Sequence, residues 1–145
     1  MLCPYCSNEE TKVTDKRDSK DETRRRRECL KCGKRFTTYE KIMPLEIYVF
    51  KKDGRRELFS DEKLKQGIMK ACEKRPVSIE KIDAAVSAIE EKLRQYGSEV
   101  RSEIIGELVM RFLKKTDKVA YIRFASVYRK FEDLSDFKKE MKEVS

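Results

Sequence analysis

The chain has 145 residues, of which 43% are charged and 39% hydrophobic, with a formal net charge of +8 and no histidine. The missing histidine removes Cys/His zinc sites, Ser-His-Asp and Cys-His triads and the commonest general base. No apolar run nears the roughly 20 residues that span a bilayer, and the start MLCPYC lacks a signal peptide's basic-then-apolar order, so a cytoplasmic protein with no membrane partner is expected.

Four of the five cysteines precede residue 33. Cys3 and Cys6 form one CxxC, Cys29 and Cys32 a second, and 22 residues separate Cys6 from Cys29. Two such turns bring four thiolates to the corners of a tetrahedron, the closed arrangement of one structural Zn²⁺ per chain. A disulfide pair or an iron–sulfur cluster is the alternative. Pro4 stiffens the first turn, and Gly33 tolerates positive φ where the chain folds back after the second. These features predict a zinc ribbon over residues 1–42 whose metal binding and folding are one event.

Between the cysteine pairs, Lys12-Val13-Thr14 predicts a short strand, and Asp15 to Glu22 reads as an exposed turn or loop. From Arg24 to Arg35 there are seven basic side chains against the single acid Glu28. On an extended strand the four arginines Arg24, Arg25, Arg26 and Arg27 alternate, two to each face. With Arg17, Lys34 and Arg35 they are the candidate contacts to double-stranded DNA, because a guanidinium fork suits both phosphate oxygens and the guanine edge. The competing reading is a solvated basic loop, or ion pairs to Glu9, Glu10, Asp18 and Asp21. Tyr5, Phe36 and Tyr39 are expected to form the ribbon's small core, the alternative being platforms on which bases stack.

Pro44 marks a boundary, and LEIYVFKKDGRRELF follows. Asp53-Gly54 between two β-prone runs predicts a hairpin with a two-residue turn. That register pairs Lys52 with Arg55, Lys51 with Arg56, Phe50 with Glu57, Val49 with Leu58 and Tyr48 with Phe59. Ile47, Val49, Lys51, Arg56 and Leu58 then share one face, an apolar floor with a cationic rim that suits a nucleotide; the competing reading is charge simply exposed at a hairpin tip.

Helices are expected after the hairpin. Ser60 caps one from Asp61 to about Glu73, with Leu64, Ile68, Met69 and Cys72 toward a core and Cys72 acting as a buried small hydrophobe. Ser78 caps the next, whose Ile79, Ile82, Val86, Ile89, Leu93 and Tyr96 form a core seam, or an oligomer contact, that Gly97 ends. Ser102 starts a third, Asp117 caps a fourth, and Ser135 to Val144 suggests a short tail helix. No GxxxxGK[ST] or GxGxxG motif occurs, and no catalytic constellation is present.

The succession CPYC, VTDKR, RRRRECLKCGKRFTTYE, VFKKDGRRELF, EKLKQGI, KRPVS, IGELVM and DKVAYIRFASVYRKFEDLSDF resembles, over nearly the full length, the NrdR repressors of ribonucleotide reductase genes. The resemblance implies an α+β chain: a DNA-binding zinc ribbon at 1–42, an ATP-cone at 45–135 made of a β-hairpin over four helices, and a tail at 136–145. It further implies a non-enzymatic regulator that binds paired palindromic promoter boxes. ATP and dATP would be its effectors, the homo-oligomer would change with the nucleotide bound, and the chain would be nucleoid-associated when on DNA. By position, the cone's signature falls on Val49, Lys51, Lys52, Asp53, Gly54, Arg56, Glu57, Phe59 and Lys63. Lys51, Arg56 and Lys63 are expected on phosphates, and Val49 against the base.

Two departures from the family's pattern stand out. Val13-Thr-Asp15-Lys16-Arg17 replaces V-x-D-S-R, and the segment between the cysteine pairs is shorter, without a glycine turn before the arginines. The preferred DNA sequence is therefore expected to differ. The alternative functions are an ATP-cone regulatory protein, or a zinc-ribbon adaptor acting on RNA or protein.

Overall fold

A computed structural model describes all 145 residues, Met1–Ser145. The chain divides into two compact units, Met1–Pro44 and Leu45–Ser145.

The first unit is a three-stranded antiparallel sheet, order β1-β2-β3, with β1 Thr11–Asp18, β2 Glu22–Cys29 and β3 Arg35–Lys41. The arginine run therefore lies on the central strand. Contrary to the loop expected at Asp15 to Glu22, Asp15–Asp18 continues β1 and pairs with Thr23–Arg26. These residues are charged and exposed on both faces, so only the backbone ladder and cross-strand pairs hold them there. Ser19 closes the hairpin without glycine: its N–H and Oγ both donate to the Glu22 carbonyl, at 2.9 and 3.0 Å. Thr14 forms a bulge, two residues facing one, and its Oγ1 donates to the Arg26 carbonyl.

The second unit joins a small sheet, order β5-β4-β6, to five helices. Strand β4 Tyr48–Phe50 is central, antiparallel to β5 Arg56–Leu58 and parallel to β6 Glu99–Arg101, a strand that the sequence reading did not contain. The hairpin register also differs from expectation. Tyr48 pairs with Leu58, Val49 with Glu57 and Phe50 with Arg56, one residue off the two-residue-turn alignment. Lys51 N–H bonds the Arg55 carbonyl at 2.8 Å, so the loop has three residues and ends on Gly54 at φ +85. Because side chains alternate along a strand, this slip moves Arg56 and Leu58 off the face of Val49 and Lys51 and brings Glu57 onto it.

The helices are α1 Asp61–Ala71, α2 Ile79–Tyr96, α3 Ser102–Thr116, α4 Lys118–Tyr128 and α5 Leu134–Val144. Ser60, Ser78 and Asp117 cap α1, α2 and α4 through backbone N–H groups three residues on, each cap worth about 1 kcal/mol. Ile68, Leu93, Val109 and Leu113 are fully buried in the core, with Cys72 beside them. Burial pushes the Cys72 thiol up, in keeping with an inert small hydrophobe. Met69, expected to face the core, is exposed, as are Ile79 and Tyr96 at the two ends of the α2 seam, whose middle residues alone are buried. The tail helix begins at Leu134 and packs on α4 through the buried Glu140, which accepts from Tyr121 Oη and from Arg129 Nη1.

Candidate functional site

In the first unit the four candidate ligands converge. Cys3 Sγ lies 3.7 Å from Cys32 Sγ, Cys6 Sγ 3.6 Å from Cys29 Sγ, and all four sulfurs fall within 4.8 Å of one another. A Zn–S bond of ~2.3 Å sets tetrahedral S···S edges near ~3.8 Å, so the donor set and its spacing fit Zn²⁺, whereas disulfides need ~2.05 Å. Both knuckles use the same backbone device. Ser7 N–H bonds the Cys3 carbonyl and Gly33 N–H the Cys29 carbonyl, and Ser7 (φ +56) and Gly33 (φ +70) are both left-handed. The Cys32 backbone N–H, 3.5 Å from Cys29 Sγ, helps pull that thiol down to about 6, whereas at Cys6 the Asn8 backbone contact is outweighed by desolvation and the neighbouring sulfurs, which push the thiol up to about 11, so the metal-free cluster shares protons that Zn²⁺ would displace.

Around this centre the arginines divide by face. Arg25 and Arg27 are held in place: Arg25 pairs with Glu40, and Arg27 donates from Nε to Thr38 Oγ1 and from Nη1 to Thr11 Oγ1. On the opposite face Arg17 and Arg24 stand directly across from each other and share one carboxylate, Asp15, at 3.4 and 3.9 Å. Arg26 beside them is exposed and donates only to Thr37 Oγ1. Arg35 pairs with Glu28 at 2.9 Å, and Lys34 lies 4.9 Å over the Tyr5 ring. None of the carboxylates Glu9, Glu10, Asp18 or Asp21 pairs with the four-arginine run; Asp18 binds Lys16. Tyr5 and Tyr39 are more than half exposed and do not form a core; of the three aromatics only Phe36 is partly covered.

In the second unit, seven of the nine candidate nucleotide residues line one open cavity of about 480 Å³: Val49, Lys51, Lys52, Asp53, Glu57, Phe59 and Lys63. Gly54 forms the turn beside it. Arg56 lies elsewhere, its guanidinium 3.9 Å from the Tyr48 ring centroid and 3.3 Å from Glu99, as the one-residue register change dictates. The back wall is apolar, from Leu64 on α1, Ile105 and Val109 on α3 and Phe124 on α4. Two acids temper the cations: Glu57 pairs with Lys51, and Asp53 binds the backbone N–H and side chain of Arg55. Those contacts hold both carboxyls below the usual range. Lys52, Lys63 and Lys130 also face the cavity and form no ion pair.

Sequence reasoning missed the α3–α4 side of this cavity: Ser102, Ile105, Gly106, Phe124, Tyr128 and Lys130. The available signal was Gly106, a glycine in the interior of an amphipathic helix. A Cβ there would stand 2.1 Å from the Tyr128 ring, so the glycine makes room for Tyr128, whose hydroxyl donates to the Glu103 carbonyl at 3.0 Å.

Residues 1–40 match the family described as "Transcriptional repressor NrdR-like, N-terminal domain", and residues 47–134 match the ATP cone domain. Among curated relatives, the transcriptional repressor NrdR of Syntrophus aciditrophicus is 55% identical over 99% of this chain and 92% of that protein. The proteins of the same name from Desulforamulus reducens and Petrotoga mobilis are each 54% identical over 99% of this chain, covering 93% and 98% of their own lengths. A four-cysteine ribbon with an arginine-bearing central strand, a cone with a cation-lined cavity and full-length similarity at this level together mean that the chain belongs to the NrdR family of transcriptional repressors.

Proposed function

We propose that this chain represses ribonucleotide reductase genes by binding paired palindromic promoter boxes through its ribbon, under the control of ATP or dATP held in the cone. The cavity of the second unit carries the nucleotide half of this reading. Cationic side chains at its mouth suit phosphates, and the apolar wall behind them suits a base. In the ribbon, the Arg17, Arg24 and Arg26 face is the DNA-facing one. Two arginines opposite each other with one shared acid repel, and a phosphate relieves that repulsion. The nucleotide acts by favouring one homo-oligomeric arrangement over another, which requires different affinities for the two. Abundant dATP favours the repressing assembly.

The test compares a duplex from the reductase promoter with a scrambled duplex across a salt series, using zinc-loaded protein. Preference for the promoter, with a log–log slope of about −5 for roughly six phosphate contacts, supports the reading. Equal affinities and a flat salt dependence would sink it.

A further inference from the structure

Lys130 is the one cavity cation that comes from neither the hairpin nor α1. It follows α4 in the left-handed conformation, φ +52. Its N–H bonds the Val127 carbonyl at 3.3 Å while the Phe131 N–H bonds the Ser126 carbonyl at 3.0 Å, a helix closure whose left-handed position is usually glycine. A lysine there is strained. Strain alone marks nothing, since Lys74 after α1 has φ +56 and does not line this cavity. What sets Lys130 apart is its electrostatic position. Its neighbour Arg129 is pinned to the buried Glu140 at 2.8 Å, whereas Lys130 is exposed, forms no ion pair and borders the cavity. Lys52 approaches the same end of α4 from the hairpin, 5.5 Å from the Tyr128 ring centroid. Uncompensated ammonium groups from different elements thus surround one open space, and their mutual repulsion disfavours the empty state.

We propose that Lys130 contacts the phosphate chain of a nucleotide from the α4 side of the cavity and makes the site prefer a triphosphate to a monophosphate. The inference rests on reading the cavity as a nucleotide site. Lys51, Lys52 and Lys63 reach that space from the hairpin and α1, and Lys130 from beyond α4. A chain of three phosphates carries enough charge, spread along its length, to meet Lys130 as well as the hairpin and α1 lysines, whereas one phosphate offsets fewer of them.

The experiment is calorimetric titration of the full-length, zinc-loaded protein with ATP and with AMP, for wild type, Lys130→Gly and Lys130→Arg. Glycine suits this backbone, so Lys130→Gly removes the charge and relieves the strain instead of disturbing the helix end. Lys130→Gly should weaken ATP about tenfold, the scale of one charge-assisted hydrogen bond, and leave AMP nearly unchanged. Lys130→Arg should keep most of the ATP affinity. Wild-type binding of ATP with an unaltered ATP-to-AMP ratio in Lys130→Gly overturns the role of Lys130 alone. Wild-type protein that binds neither nucleotide overturns the cavity reading and this inference with it.

Discussion

Lys51 Nζ lies 3.2 Å from Glu57 Oε1, on the cavity face that the β4–β5 register gives both residues. The pair is more than a third exposed and holds Lys51 at the cavity mouth without neutralising the site, since Lys52 and Lys63 are unpaired beside it. Lys51→Ala should therefore weaken both ATP and dATP by about tenfold, the value of one charge-assisted contact. Zinc content should stay the same. Titration checks the first and atomic absorption the second; wild-type affinity for both nucleotides in the mutant would remove Lys51 from the site.

The thiolate cluster holds together a unit too small to fold on its own core. Chelation should release one zinc per chain and abolish the sheet of residues 11–41, while the helical circular dichroism persists because every helix lies in the second unit. Loss of DNA binding with retained nucleotide binding is the expected outcome. A ribbon that keeps its amide dispersion after complete zinc removal would contradict it.

Arginine substitutions should separate by face. Arg24→Ala and Arg26→Ala each reduce the salt slope of DNA binding by about one and leave the sheet folded. Arg25→Ala and Arg27→Ala act first on stability, since they break contacts to Glu40, Thr38 and Thr11. A thermal melt beside each salt titration distinguishes the classes. An unchanged slope in the Arg24→Ala, Arg26→Ala double mutant would move the DNA face to the other side of the sheet.

Asp117 caps α4 through the Ala120 N–H at 2.8 Å and pairs with Arg75 at 3.0 Å, and these contacts, the cap first, hold its carboxyl below the usual range. A depressed folded pKa contributes stability that is present above the unfolded value of about 4 and is lost as pH falls through the folded value. Asp117→Ala should cost about 1–2 kcal/mol at pH 7. The gap between mutant and wild type should shrink below about pH 4, as urea unfolding at both pH values would show. A constant gap would mean that the loss is packing rather than ionisation.

The metal centre was legible because ligand spacing is local: two CxxC pairs suffice to name four sulfurs that meet. The caps at Ser60, Ser78 and Asp117 were legible for the same reason. The hairpin's existence was also readable from Asp53-Gly54, but its register was not. Asp53 Oδ1 accepts from the Arg55 N–H and Gly54 turns left-handed, closing a three-residue loop, and the same dipeptide serves a two-residue one. That single residue decides which face carries Arg56. β6 escaped because it is three residues long and pairs in parallel with a strand about 50 positions away, a contact without local signature. The outer half of β1 escaped because it buries nothing, and the α3–α4 wall because tertiary packing alone brings it to the cavity.

Under the proposed function, nucleotide in the cone governs DNA binding by the ribbon. The decisive measurement is the affinity of the zinc-loaded protein for a ribonucleotide reductase promoter duplex with saturating ATP and with saturating dATP, with particle mass followed by light scattering. Tighter promoter binding with dATP and a change of assembly between the two nucleotides are the expected results. Equal promoter affinity and unchanged mass in both conditions would contradict that function.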